Sequence, residues 1–589
     1  MHTNMGENNE DIAKTRTIIV KCTQKNGDIY VLEREIRYNR LKKRNDVLRT
    51  KLLSKIPKGS ATAVPTRPKR PKRSGLDVPE SDLVASRRRV GMMDIIDHIG
   101  KESGIDSGIY SSTDLGTAQK ILSLARYLLA TDGHSLPAIA SWQFSHPLPY
   151  EHGLSESMYH DLFCRVGMDE SLQQNFFRSR AAMLDAEETV AFDSTTVSTY
   201  SAGQPEARYG FNKAGDGLKT VKLLTLYSLE KRMPIAFTKM PGNLPDVTTQ
   251  RNAMKQLQAL GLDTVGLVTD NGYWSESNIS ELLQSGLWFL TLAKTSLSWI
   301  RPEIDAHREE LSFISTACPY DVQTHGTTVM LKREFKKTRK RGRTATGASA
   351  GDEETFSRRI YLHIFYNNMR AAADRAEFEK DIIELKMMLE DGSVTLDTLS
   401  DSGKDKVKKY LRVGQSKGKI DVSVDDAACR EAYKYHGFFA LVSDKERDCF
   451  NALREYRRRE LIEGFYRSGK QHADGDLLRV WGPDALRGRM FVQFVALCYY
   501  EYLSKKISDI LPTLGKANGD EAHDSEMNLK AEKKLKSWME NTPLYLQLQW
   551  FDTVENVRVS TKLTSKRWST EITMRDKMYL DRLGVRITE

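Results

Sequence analysis

The chain has 589 residues, 40% of them hydrophobic and 29% charged, with a formal net charge of +10. That length exceeds one hydrophobic core and implies roughly three to five domains or subdomains, while no apolar run reaches the roughly 18 residues that would cross a bilayer. The polar stretch from Met1 to Lys14 has no apolar signal core, so a cytoplasmic protein with no membrane partner is expected. The six cysteines form no CxxC pair, the twelve histidines include no HExxH, and no GxxxxGK(S/T) loop occurs. Those absences argue against a disulfide framework, a zinc knuckle, a zinc hydrolase and ATP-driven chemistry.

In chain order, residues 16–36 alternate apolar and polar around Asn26-Gly27-Asp28, a β-hairpin signal. It defines an N-terminal β-hairpin region, 1–56. Residues 57–95 combine Pro, Lys, Arg and Ser and read as a basic linker. Nine Lys or Arg and three acids lie between Lys58 and Arg89, and eight cations and one acid between Lys332 and Arg343. Blocks of this kind suit DNA phosphates, although a solvated linker would look the same. Residues 96–185 carry helical spacing, as in Ile121-Leu122-Leu124-Ala125 and Met158-Tyr159-Leu162-Phe163. They form a helical module suited to DNA binding.

From 186 to 293 the pattern changes. Thr189-Val190-Ala191-Phe192 is an apolar run that stops at Asp193, and Val221 to Tyr227 and Pro234 to Phe237 read as the next strands. Asp246 to Leu260 reads as a helix with Asp246 as a candidate N-cap. Val265 to Thr269 is a buried strand that stops at Asp270, Glu276 to Ser285 is helical, and Trp288 to Leu292 is a fifth strand. This order describes an α/β fold with a ribonuclease-H-like mixed sheet flanked by helices. Residues 294–444 interrupt it as a β-containing insertion, with a low-complexity stretch from Thr344 to Glu354 expected to be disordered. The second half of the core follows at 445–510, and 511–589 reads as a helical C-terminal region.

Tyr456, Arg459, Glu463 and Lys470 stand at offsets 0, 3, 7 and 14. On one α-helix they would share an arc of about 60° over roughly 21 Å. Leu461, Ile462 and Phe465 on the other side would face a core. A solvated face with ordinary ion pairs would show the same spacing. Three carboxylates, Asp193, Asp270 and Glu463, can together hold two hard divalent ions through oxygen ligands and support in-line phosphoryl displacement. Arg459 and Lys470 suit phosphate positioning, and Tyr456 suits a phosphate or a base. The hydroxyls of Ser194, Thr195 and Thr196 read as turn or strand-end groups.

These blocks resemble insertion-sequence transposases of the DDE type from bacteria and archaea. The family signature Tyr-x2-Arg-x3-Glu-x6-Lys is met by YRRRELIEGFYRSGK. AFDSTTVST resembles the first aspartate block and GLVTDNGYWSESNI the second, while YGFNKAGDGLK and MPIAFTKMPGNLPD resemble the stretch between them. Gly242, Asn243 and Asp246 are the most recognisable points of that stretch. The resemblance covers about 189 to 503. It implies Asp193, Asp270 and Glu463 as catalytic metal ligands for two Mg²⁺ or Mn²⁺ ions. Tyr456, Arg459 and Lys470 would bind DNA. It further implies a cut-and-paste transposase at the nucleoid that binds double-stranded DNA at its terminal inverted repeats and at the target, as a homodimer in the DNA complex. Relatives carry an aromatic in the insertion that can stack on a flipped base, and Trp299 matches by position, though a packed tryptophan would too. Two departures are Asn271, where relatives often have a basic residue, and the basic block at 332–354. A nuclease on the same core without strand transfer, or a non-catalytic DNA-binding derivative, would share much of this sequence.

Overall fold

The computed structural model describes residues 15–39, 42–65, 84–201, 203–210, 212, 215–338, 353–416, 419–472, 477–478, 482–516, 526–560 and 565–588. Residues 66–83 of the expected linker and most of the low-complexity stretch (344–352) lie outside these residues. The chain forms two compact units, one holding the described residues up to Ala85 with 559–566, the other running from Ser86 to Arg558 and resuming at Arg567.

In the first unit, β1 (Arg16–Thr23) and β2 (Ile29–Asn39) pair antiparallel. Gly27 takes a φ of 85° between them, a backbone conformation that glycine adopts without steric cost. β3 (Arg44–Ile56) and β4 (Val64–Pro65) extend the hairpin to four strands. Asp28, in the turn, accepts from the Lys58 amide at 3.1 Å and pairs with Lys55 at 2.7 Å.

β5 (Val84–Arg89) leads into the second unit. Its helices start at α1 (Gly91–Glu102), within the stretch expected as linker, and continue with α2 (Ile105–Tyr110), α3 (Leu115–Ala130), α4 (Ile139–Trp142), α5 (Glu156–Met168) and α6 (Glu170–Ala181). The core strands follow: β6 (Thr189–Thr199), β7 (Lys219–Ser228) and β8 (Met233–Pro241). Next come α7 (Asp246–Ala259), β9 (Gly266–Thr269), α8 (Glu276–Ser285) and β10 (Trp288–Ala293). β6, β7 and β8 are antiparallel neighbours, whereas β9 runs parallel to β6 and β10 parallel to β9. The spatial order β8-β7-β6-β9-β10 is third, second, first, fourth, fifth in the chain, the ribonuclease-H-like arrangement.

Most of the insertion's strands join the central sheet. After α9 (Arg301–His307), the strands β11 (Ala317–Cys318), β12 (Asp321–Thr338) and β13 (Glu353–Asn367) join the central sheet through β16 (Phe438–Ser443), which pairs with both β13 and β10. The inserted helices α10 (Asn368–Glu390), α11 (Asp401–Tyr410) and α12 (Asp426–Tyr433) accompany the hairpin β14 (Leu411–Ser416) and β15 (Lys419–Val424). Ile382, Leu389, Val407, Leu411 and Val422 form a separate small core there.

α13 (Cys449–Arg457) and α14 (Glu460–His472) return the chain to the core, and β17 (Leu477–Leu478) pairs with the end of β6. α15 (Pro483–Ile510) then packs against α3, α5 and β8, so the N-terminal helices and the sheet share one apolar core. The C-terminal part is less helical than expected. Strands β18 (Glu555–Ser560) and β19 (Ser565–Ser569) stand among α16 (Glu526–Asn541), α17 (Leu544–Trp550) and α18 (Met574–Leu583).

Candidate active site

Asp193 is not at a strand end. β6 runs on through Ser194 to Thr199, buried throughout, with Asp193 opposite Thr225 of β7. The apolar run ends at Phe192 because the far half of the strand is buried with hydroxyl side chains, which an apolar pattern cannot detect. Ser194, Thr195 and Thr196 are therefore strand residues, not turn groups. Pairing of β6 with β9 stops at Ala191 opposite Val268. Two residues farther along stand Asp193, still within β6, and Asp270, the residue just past the end of β9, so the parallel register sets them level.

Tyr456, Arg459, Glu463 and Lys470 do not share an uninterrupted helix. α13 ends at Arg457 and α14 starts at Glu460. Arg459 N bonds Tyr456 O at 3.0 Å, and Ile462 N bonds Arg459 O at 3.0 Å, the tighter three-residue spacing of a 3₁₀ turn. The Arg458 side chain holds the break by donating to Leu229 O at 2.7 Å. Ile462 and Phe465 are buried as expected, and Leu461 is half-buried.

The break turns the Arg459 guanidinium into the carboxylates. Its Nη1 lies 3.6 Å from Asp193 Oδ2, and its Nη2 lies 3.9 Å from Asp270 Oδ2 and 2.5 Å from Glu463 Oε1. Tyr456 donates to Asp270 Oδ1 at 3.2 Å. The structure thus gathers Asp193, Asp270, Glu463, Arg459 and Tyr456. Lys470, in the last turn of α14, lines a small apolar cavity of about 50 Å³ with Thr195, Tyr466 and Phe494.

Residues 185–499, just over half of the chain, match the family described as Transposase DDE domain. The chain belongs to this DDE transposase family. No curated protein matches it. Among solved structures, the cryo-EM structure of a piggyBac transposase synaptic complex with hairpin DNA is similar over 77% of this chain and 81% of that one. Its identity of 10% and TM-score of 0.35 make it too distant to place residues.

Members of the family generally use divalent metal ions, and the donor chemistry of this transposase suits them: three carboxylates, oxygen ligands only. Among the described residues, no three His, Cys, Asp or Glu side chains form a cluster that could hold a metal ion. The positive charge the carboxylates share here is Arg459, whose side chain is 11% exposed. Burial works against its charged form. The neighbouring Tyr456, Asp270, Asp193 and Glu463 outweigh that and raise its pKa. Burial, then the charge of Asp270, raises the Tyr456 phenol, which keeps it a donor.

Sequence patterns missed two phenols. Tyr466 donates to Asp193 O at 2.5 Å, and Tyr273 donates to Asp193 Oδ1 at 3.3 Å. Burial first, then Asp193, pushes both phenols well above their ordinary value. Tyr466 stands three residues past Glu463 and Tyr273 three past Asp270, a spacing that could have flagged both. Asp246 also differs from expectation. Pro245 occupies the N-cap position and Asp246 is the first helical residue, its carboxylate engaged by Ser194 and Lys222. Lys222 was legible as a lone cation inside an apolar strand. Trp299 is packed against Trp274, with ring centroids 6.0 Å apart, and Arg333 lies 4.1 Å over its ring. Asn271 donates its backbone N–H to Asp270 Oδ1 at 2.7 Å.

No described helix is long and apolar enough to cross a membrane.

Proposed function

We propose that this transposase moves an insertion sequence of the bacterial or archaeal type by cut and paste. It binds the terminal inverted repeats, hydrolyses the phosphodiester at each end, and joins the freed 3′-hydroxyl to target DNA. The observation that carries this reading is the convergence of Asp193, Asp270 and Glu463, from two level strands and a helix, on Arg459. Asp193, Asp270 and Glu463 are the proposed catalytic ligands of two Mg²⁺ or Mn²⁺ ions, which when bound supply Lewis-acid stabilisation of the attacking and leaving oxygens.

The chain's own groups do the rest. Arg459 offers a planar fork that fits a phosphate as well as a carboxylate, and Glu463, its tightest partner, keeps 46% of its side chain exposed and so within reach of DNA. Tyr456 and Lys470 position the strand. Two ends must be paired before joining, so a homodimer is the proposed form in the DNA complex.

The test uses a labelled duplex carrying the inverted repeat that flanks the coding region, with Mg²⁺ or Mn²⁺ and a target plasmid. Joined product is expected from the wild type. Glu463→Gln is expected to lose cleavage and joining by about 10²-fold or more while still binding the duplex in EDTA. Nicked duplex without joined product would reassign the chain as a nuclease.

A further inference from the structure

Lys222 stands on β7, and its ammonium is buried, with 9% of the side chain exposed. Removing an ammonium from water is costly unless it is paired and hydrogen-bonded. Here it donates to Asp246 Oδ1 at 2.7 Å and to Leu244 O at 2.6 Å. The same Asp246 oxygen accepts from Ser194 Oγ at 2.7 Å. Ser194 in turn donates its backbone N–H to Asp193 Oδ1 at 2.8 Å.

Asp246 opens α7, where the helix dipole favours a carboxylate. Its second oxygen faces the turn behind Asp270: a Cβ built on Gly272 would stand 3.6 Å from Asp246 Oδ2. One carboxylate is therefore hydrogen-bonded to the Asp193–Ser194 segment and lies beside the turn that follows Asp270, and a buried cation backs it. Asp246 itself keeps 42% of its side chain exposed, and packing alone would be served by an aliphatic side chain at 222, because a buried charge with its partner is often no more stabilising than a hydrophobic replacement. What the ammonium adds is a fixed orientation for Asp246.

We propose that Lys222 and Asp246 are positioning residues that lock the Asp193–Ser194 segment of β6 to the turn behind Asp270, holding both aspartates ready for a divalent cation. This rests on the reading of Asp193 and Asp270 as ligands.

The test compares the full-length wild type with Asp193→Ala, Asp246→Asn, Lys222→Met and Ser194→Ala. Mn²⁺ binding is read by loss of the free-ion EPR signal, cleavage by kcat and KM on the flanking-repeat duplex, and DNA affinity in EDTA. Asp246→Asn and Lys222→Met should each weaken Mn²⁺ binding about 10-fold, the usual loss when a residue supporting a ligand is removed. They should lower kcat and leave KM for DNA and the EDTA affinity unchanged. Ser194→Ala should move the same readouts in the same direction by less. If the first two variants melt early, Ser194→Ala, which keeps the Lys222–Asp246 pair, decides alone. Wild-type Mn²⁺ affinity and kcat in Asp246→Asn and Ser194→Ala, beside an inactive Asp193→Ala, overturn the positioning role only. An Asp193→Ala chain that binds Mn²⁺ and cleaves like wild type overturns the ligand reading instead.

Discussion

Arg459 shows how one side chain can organise a site. Asp193, Asp270 and Glu463 each approach the one guanidinium, and neighbouring carboxylates disfavour each other's charged form unless a cation stands between them. The guanidinium supplies that charge and is itself held charged by the groups around it. A different carboxylate adds a pH dependence to stability. Glu501 on α15 accepts from Tyr227 at 2.7 Å, and its dense surroundings push its pKa from 4.5 to about 7 despite the nearby Arg232. The folded state thus holds this proton more tightly than the unfolded state does. Stability from this group is full below the unfolded value near 4.5 and is lost as pH rises through about 7. Glu501→Gln keeps an acceptor for Tyr227 and removes the titration. It should match wild type near pH 4.5 and exceed it at pH 8 by on the order of 1–3 kcal/mol. Urea melts at the two pH values measure this, and equal gaps at both would refute it.

Among the elements, the interrupted helix and the strand β6 carry most of the site. A regular helix would have kept Tyr456, Arg459 and Glu463 on one line; the 3₁₀ turn at Arg458 lets Arg459 reach Asp193 while Glu463 stays in the first turn of α14. Close packing of α15 on α5 is set by two glycines. A Cβ on Gly488 would stand 1.9 Å from Phe163 O of α5, and one on Gly167 would stand 1.8 Å from Asp484 O. Both glycines mark a backbone-to-backbone approach that no side chain fits. Gly488→Ala must push α5 and α15 apart, and a loss of about 1–3 kcal/mol or more is expected from overpacking, read as a lower denaturation midpoint. The spacing of apolar residues found these helices, but their crossing distance is set by partners distant in the chain.

For the molecule as a whole, the +10 charge predicts DNA binding that weakens steeply with salt. The insertion strands place part of that charge on the central sheet. Lys332 and Lys336 are exposed on β12, and Arg358 and Arg359 are exposed on β13, with Arg359 opposite Lys332. If this ribbon contacts phosphates, Lys332→Ala with Lys336→Ala should shallow the slope of log K against log salt by about 2 and leave metal-dependent cleavage of saturated DNA intact. An unchanged slope would remove this ribbon from the DNA contact.

The order of the core strands and helices between 186 and 293 was legible in the chain, because apolar periodicity is a local property, and motif spacing singled out Asp193, Asp270 and Glu463 as candidates. Four outcomes were not: the continuation of β6 past Asp193, the break at Arg458, the capture of Asp246 by Lys222, and the joining of the insertion strands to the central sheet. Each depends on hydrogen bonds and ion pairs between residues far apart in sequence. A local pattern states which side chains are available; only the packed fold decides which charge answers which.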